Sequence, residues 1–177
     1  MQRITAAQIE EMRSRGFDRS TIAEAEEWLV KCQEADTLID EITVAFAGVE
    51  LEDGIGLRES NGIDDCVGPE ERKRLRAKDE KHDWQKISAE LLNYCNAAPS
   101  FLDAKGMYFH LPAFLTAELR DEFRFDFINR LMWPQGYINL LNDEQKQAIT
   151  HSLEFAKSYP PGGYHADDID QAIARYQ

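Results

Sequence analysis

Basic residues are in short supply in this chain, which sets 20 Lys and Arg against 33 Asp and Glu for a formal charge of −13 over 177 residues. That balance excludes nucleic acid and anionic membrane surfaces as partners, since both need a basic face to neutralise phosphates or headgroups. A basic protein suits it better. Cysteine is scarce and odd in number: Cys32, Cys66 and Cys95 lack CxxC spacing, so reduced thiols in a cytoplasmic setting are expected instead of a disulfide framework. No apolar run approaches the length a bilayer needs, and no hydrophobic leader segment follows Met1-Gln2-Arg3-Ile4-Thr5, so neither a membrane span nor a cleaved signal is expected. A nucleophile elbow, an HExxH pair and a kinase-like set are all missing, and with no complete fingerprint no cofactor is expected.

What is present reads as one mainly α domain over residues 1–177, a helical bundle with one short β-hairpin around residues 100–111, long enough to bury a core without metal or disulfide staples. Residues 1–37 read as an N-terminal helical hairpin appended to the rest. Thr5 and Gln8 form a capping box with Ile4 and Ile9 as a hydrophobic staple, which starts a helix that Gly16-Phe17 ends. Asp18 then opens a second helix over residues 19–46, where Ile22, Ala25, Leu29, Cys32, Ala35, Ile39, Ile42 and Phe46 recur at steps of three or four. A Gly-Phe junction between short helices also occurs in small ubiquitin-binding modules, but the same pair is a common helix stop.

Residues 49–65, VELEDGIGLRESNGIDD, lose helical periodicity and read as a loop with at most one short strand at 55–57. Gly54-x-Gly56 lacks the third glycine, the Lys-Ser/Thr pair and the following helix of a phosphate cradle. Pro69 to Lys78 reads as a solvated helix with acids first and bases later, the order the macrodipole favours. Trp84, Ile87, Leu91, Leu92 and Cys95 form an apolar stripe with Ser88 as N-cap. Then Asp103-Ala104-Lys105-Gly106 separates two aromatic-rich runs and predicts the turn of the hairpin. Pro112 fits the first position of the next helix, which carries Phe114, Leu115, Leu119 and Phe123. The aromatic segment from Phe123 to Trp133 ends in Pro134-Gln135-Gly136, Asn142 and Gln145 cap a helix that Pro160-Pro161-Gly162-Gly163 stops, and Ile169, Ala172, Ile173 and Tyr176 mark a last one over 166–176.

Three stretches carry a resemblance: Gly54-Ile55-Gly56-Leu57-Arg58-Glu59 followed by Asp64-Asp65; Phe101-Leu102-Asp103 with Gly106; and Phe109 to Leu115 with Leu119-Arg120. On these the chain resembles an uncharacterised family of small acidic bacterial proteins over roughly residues 38–176. The resemblance implies no activity and no catalytic residues.

The acidic excess is uneven, since residues 1–66 hold 6 Lys/Arg against 16 Asp/Glu and residues 67–99 hold 7 against 6. Clustered carboxylates steer basic partners and raise association rates, and small acidic proteins that neutralise a cationic toxin, as bacterial immunity proteins do, use this physics. The expectation is therefore a non-enzymatic binding module for a basic protein, with Glu50, Glu52, Asp53, Glu59, Asp64, Asp65 and His110 as binding residues; acidity that merely keeps the chain soluble is the competing explanation. The alternative is a small-molecule or metal-assisted hydrolase with Asp53, Glu59, Asp64, Asp65 and His110 around one cleft. Asp79, His82 and Asp83 stand at helical spacing, but a turn crowded by Lys78 and Lys81 reads as exposed charge and not as a metal site. For His110 a buried ring donating to a backbone carbonyl is the simpler expectation.

Overall fold

In the computed structural model, which describes residues 3–133, 136–158 and 165–177, Gln8 N–H donates to Thr5 Oγ1 and Thr5 N–H to Gln8 Oε1 at 2.8 Å, closing the box that starts α1 (Ala6–Ser14). The loop signals at 134–135 and 160–163 lie outside the described residues. Gly16, at φ +75°, ends α1 with bonds from its own N–H to Arg13 O and from Phe17 N–H to Met12 O, the paired closure a left-handed residue permits. Asp18 then caps α2 (Arg19–Ala45) through Thr21 N–H at 3.0 Å. The Ser20 and Thr21 hydroxyls donate to the same carboxyl and hold it well below the usual range.

The expected hairpin is replaced by a helix: no strand occurs among the described residues, and residues 104–111 begin α6 (Ala104–Leu119). Asp103 is its N-cap, accepting from Gly106 N–H at 2.7 Å, so Asp-x-x-Gly is a cap and not a turn. Twelve of the 16 residues of α6 are buried. A helix covered on all sides carries no amphipathic stripe, which is why its aromatic runs imitate strands. Pro112 lies inside this helix and not at its first position. Tyr108 and His110, which would share a face on the second strand of the expected hairpin, diverge because residues two apart on a helix point to different sides.

A second difference lies at residues 57–64, expected as loop or strand, which form α3 (Leu57–Asp64). It packs on α4 (Pro69–Arg76), the charged helix with Pro69 at its first turn. A 3₁₀ turn (Trp84–Lys86) follows, whose Trp84 indole N–H donates to Phe46 O at 3.0 Å. Ser88 then caps α5 (Ala89–Tyr94) through Leu91 N–H at 3.3 Å. Beyond α6, the short α7 (Ile128–Met132) is preceded by Phe127, whose ring stacks on Phe114 with centroids 4.9 Å apart. Asn142 and Gln145 exchange bonds of 2.8 and 3.0 Å at the start of α8 (Asp143–Ser158). On α9 (Ala166–Tyr176), Tyr176 donates its buried hydroxyl to Leu131 O at 2.9 Å and meets the Tyr137 hydroxyl at 2.8 Å.

These elements close around α6, with α2 and α8 packed together on one side and α7 and α9 joined to α8. The core runs from Ala35 to Tyr176, and each fully buried Phe or Leu in it contributes about 1.5–3 kcal/mol. Ile9, Ala25 and Cys32 are buried outside that cluster, where α1 packs on the first half of α2. Cys32 and Cys95 are buried and Cys66 is exposed, all three as free thiols.

Candidate functional site

Between α2 and α3 the chain alternates burial residue by residue: Val49 and Leu51 point inward while Glu50, Glu52 and Asp53 stand in solvent. Backbone bonds pin this acidic turn. Leu51 N–H donates to Lys81 O at 2.8 Å and Gly54 N–H to Leu51 O at 2.9 Å. The Arg76 guanidinium donates to Glu52 O at 2.9 Å and to Gly54 O, and Ile55 N–H donates to Asp103 Oδ1 at 3.0 Å. Gly54 is required there, because a Cβ would stand 2.6 Å from Gly106 N and 2.8 Å from Lys105 Cβ.

The charges around the turn are partly matched. Lys105 Nζ lies 2.7 Å from Glu52 Oε2 and 2.6 Å from Asp53 Oδ1, a contact that holds the Asp53 carboxyl below its usual range and pushes the Lys105 ammonium up. His82 Nδ1 sits 3.4 Å from Glu50 Oε1. Glu59 is withdrawn behind the turn, its side chain 12% exposed between Arg72 at 3.5 Å and Arg76 at 3.3 Å. Asp64 and Asp65 are exposed at the far end of α3, Asp65 accepting from Asn61 Nδ2 at 3.3 Å. That end has no basic residue in its last turn, although a helix C-terminus favours cations.

His110 is sealed in the core, 1% exposed, with Nδ1 donating to Gly106 O at 2.6 Å and Phe109 edge-on to its ring. Burial pushes its pKa down to about 4, so the ring is neutral at pH 7. Glu50, Glu52 and Asp53 are thus brought together with Glu59 behind them, whereas Asp64 and Asp65 share no partner with the turn and His110 bonds to none of these carboxylates.

The residues Asp79, His82 and Asp83 ride no common helix, because α4 ends at Arg76. Asp79 is buried and turns its carboxylate to α3, accepting from Arg58 N–H at 2.8 Å and Glu59 N–H at 3.3 Å. Desolvation raises its pKa. Asp83 caps the 3₁₀ turn through Gln85 N–H at 3.1 Å, and Glu80 gathers the N–H groups of Lys81, His82 and Asp83. Among the described residues no three His, Cys, Asp or Glu are grouped to hold a metal ion.

Gly54-x-Gly56 therefore does open a helix, contrary to expectation, but the anion on its N–H groups is the chain's own Asp79. A Cβ on Gly56 would overlap that carboxylate. Lys105, Arg76, Asp79 and Asp103 hold the turn from 20 to 53 residues away, and the one local signal that points toward them, Asp103 to Gly106 as an N-cap, reads in the sequence as a hairpin turn.

The chain belongs to a family of unknown function, DUF6714, whose model matches residues 34–177. No curated protein and no solved structure matches it.

Proposed function

We propose that this family member is a non-enzymatic protein-binding module, an immunity-type inhibitor whose acidic turn at Glu50, Glu52 and Asp53 docks a basic protein. One observation supports this above the rest: the turn is tied by Lys81, Arg76 and Asp103, so its carboxylates are presented with little ordering left to lose on association. A surface that served only solubility has no need of such anchoring. The uneven charge adds to it, because residues 1–66 carry a net −10 from 6 Lys/Arg and 16 Asp/Glu, and such a field steers a cationic partner at low salt. Asp64 and Asp65 extend the acidic surface, at a helix end where they oppose the macrodipole instead of serving it.

The test is affinity capture from the native host at low and moderate salt, comparing the wild type with the triple variant Glu50→Lys, Glu52→Lys, Asp53→Lys. The expected result is one basic partner, recovered by the wild type and lost with the variant while its thermal unfolding stays cooperative. A partner retained undiminished by the reversal, or capture of no basic protein, overturns the reading.

A further inference from the structure

A cavity of about 140 Å³ lies between α2, the 3₁₀ turn at Trp84, α5 and α6. An enclosed apolar cavity of about 150 Å³ accepts a benzene-sized molecule; this one is open on one side and lined more by polar than by apolar atoms, so a small ring carrying polar groups suits it better than a bare hydrocarbon. Trp84 and Leu92 wall it, at 4% and 1% exposure. The Trp84 N–H already serves Phe46 O, leaving the ring as an apolar surface.

Thr116 also lines this cavity and is 6% exposed, with its hydroxyl oxygen shut from solvent and lacking any hydrogen-bond partner among the described residues. Threonine in a helix ordinarily donates to the carbonyl four residues back. On the facing helix Thr43 does so, to Ile39 O at 2.8 Å. Leaving a hydroxyl buried and unpaired is unfavourable, and a ligand that supplies the missing partner recovers that loss. At the rim stand Arg120 and Glu122, of opposite sign, whose side chains are neither hydrogen-bonded nor ion-paired to any described residue.

We infer that this cavity is a binding site for a free α-amino acid whose side chain is a benzene-sized body with a hydrogen-bonding tip, tyrosine being the natural fit. The ring packs on Trp84, a turn of the Thr116 side chain brings its hydroxyl, shut from solvent without ligand, to the phenol, the carboxylate pairs with Arg120 and the ammonium lies toward Glu122. The zwitterion matches the rim better than a simple acid, which Glu122 repels, or a simple amine, which Arg120 repels. None of the acidic-turn residues lines this cavity, so the inference stands or falls apart from the docking of a basic protein.

The experiment is calorimetry and thermal shift with L-tyrosine, L-phenylalanine, tyramine and 3-(4-hydroxyphenyl)propionate, on the wild type and on Thr116→Val and Arg120→Gln. Tyrosine is expected to bind the wild type, with removal of its phenol, carboxylate or ammonium weakening affinity by about tenfold or more. Thr116→Val is expected to melt higher than the wild type without ligand, because the unpaired hydroxyl is gone, and to bind tyrosine and phenylalanine alike. Arg120→Gln should lose the preference for tyrosine over tyramine. Absence of heat and shift with tyrosine, equal wild-type affinity for phenylalanine, or a Thr116→Val protein that melts lower and keeps the tyrosine preference overturns the inference.

Discussion

Replacing Gly106 by alanine should reverse the usual rule for helices. Gly106 sits in the first turn of α6, where alanine is ordinarily favoured over glycine by about 0.8–1.0 kcal/mol. Here a Cβ would overlap the Ile55 carbonyl oxygen and stand 2.9 Å from Asp103 Oδ1 and 3.2 Å from Ile55 N. None of these is the loose end of a flexible side chain. Ile55 O and N belong to backbone, and Asp103 Oδ1 is fixed by two N–H donors, Gly106 at 2.7 Å and Ile55 at 3.0 Å. Relief requires residues 54–56 to draw back from α6, which breaks the Ile55 bond and loosens the acidic turn. Overpacking of this kind costs about 1–3 kcal/mol, and a charge-assisted bond about 1.5–3 kcal/mol, so after the helix-propensity gain a net loss of about 1.5–5 kcal/mol is expected. At about 2–4 °C per kcal/mol for a chain of this size, Tm should fall by about 3–20 °C. The comparison is Gly62→Ala, also in a helix, where the nearest atom to the new Cβ is the Leu75 Cδ1 methyl, which can swing aside. Thermal and urea unfolding followed by far-UV circular dichroism on both variants decides the matter. A Gly106→Ala protein as stable as the wild type, or one that loses no more than Gly62→Ala, refutes the reasoning.

Asp79→Ala leaves the Arg58 and Glu59 N–H groups at the buried start of α3 without an acceptor and should lower stability by about 1–3 kcal/mol in urea unfolding, with amide exchange in α3 rising first. Two groups, the half-buried Glu118 and the buried His110, pull the pH profile in opposite directions. Burial raises the Glu118 pKa to about 7, so the unfolded chain releases that proton first and stability falls as pH rises from the ordinary glutamate range to about 7; Glu118→Gln should remove that fall. Burial lowers His110 to about 4 from 6.5, so the unfolded chain binds the proton first and stability is lost as pH drops from about 6.5 to about 4, a decline that Tm against pH in Glu118→Gln should show uncovered. Cys66 closes α3 at φ +55° without being glycine; relief of about 1–2 kcal/mol of left-handed strain exceeds the unfolded-state entropy that glycine adds, so Cys66→Gly should raise stability by about 0.5–1 kcal/mol in the same unfolding assay.

Where chemistry acts within a few residues, the sequence alone was mostly sufficient, the cap Asp103 with Gly106, read as a turn, being the exception. The capping pairs Thr5 with Gln8 and Asn142 with Gln145, the caps Asp18 and Ser88, the stop at Gly16 and the stripe of α9 each join neighbours three or four residues apart, and all of them form. Glu50, Glu52 and Asp53, expected as binding residues from the clustering of acids, are exposed, and the charge alternating with Val49 and Leu51 is the local pattern that corresponds to that exposure. The character of α6 was not legible, because a helix buried on every side shows no contrast between its faces, and only the packing of α2, the 3₁₀ turn at Trp84 and residues 136–140 against it reveals its period. Nor was α3 legible, since its N-terminus is completed by Asp79 from 20 residues beyond Glu59, a partner that loop closure must first deliver. Local sequence thus determined where α1, α2, α4, α5, α8 and α9 begin, and that the chain is acidic, but not the starts of α3 and α6. Which carboxylates remain in solvent and which are spent inside was decided only when distant segments met, because one arginine or one capped helix start changes a carboxylate from a surface charge into a structural bond.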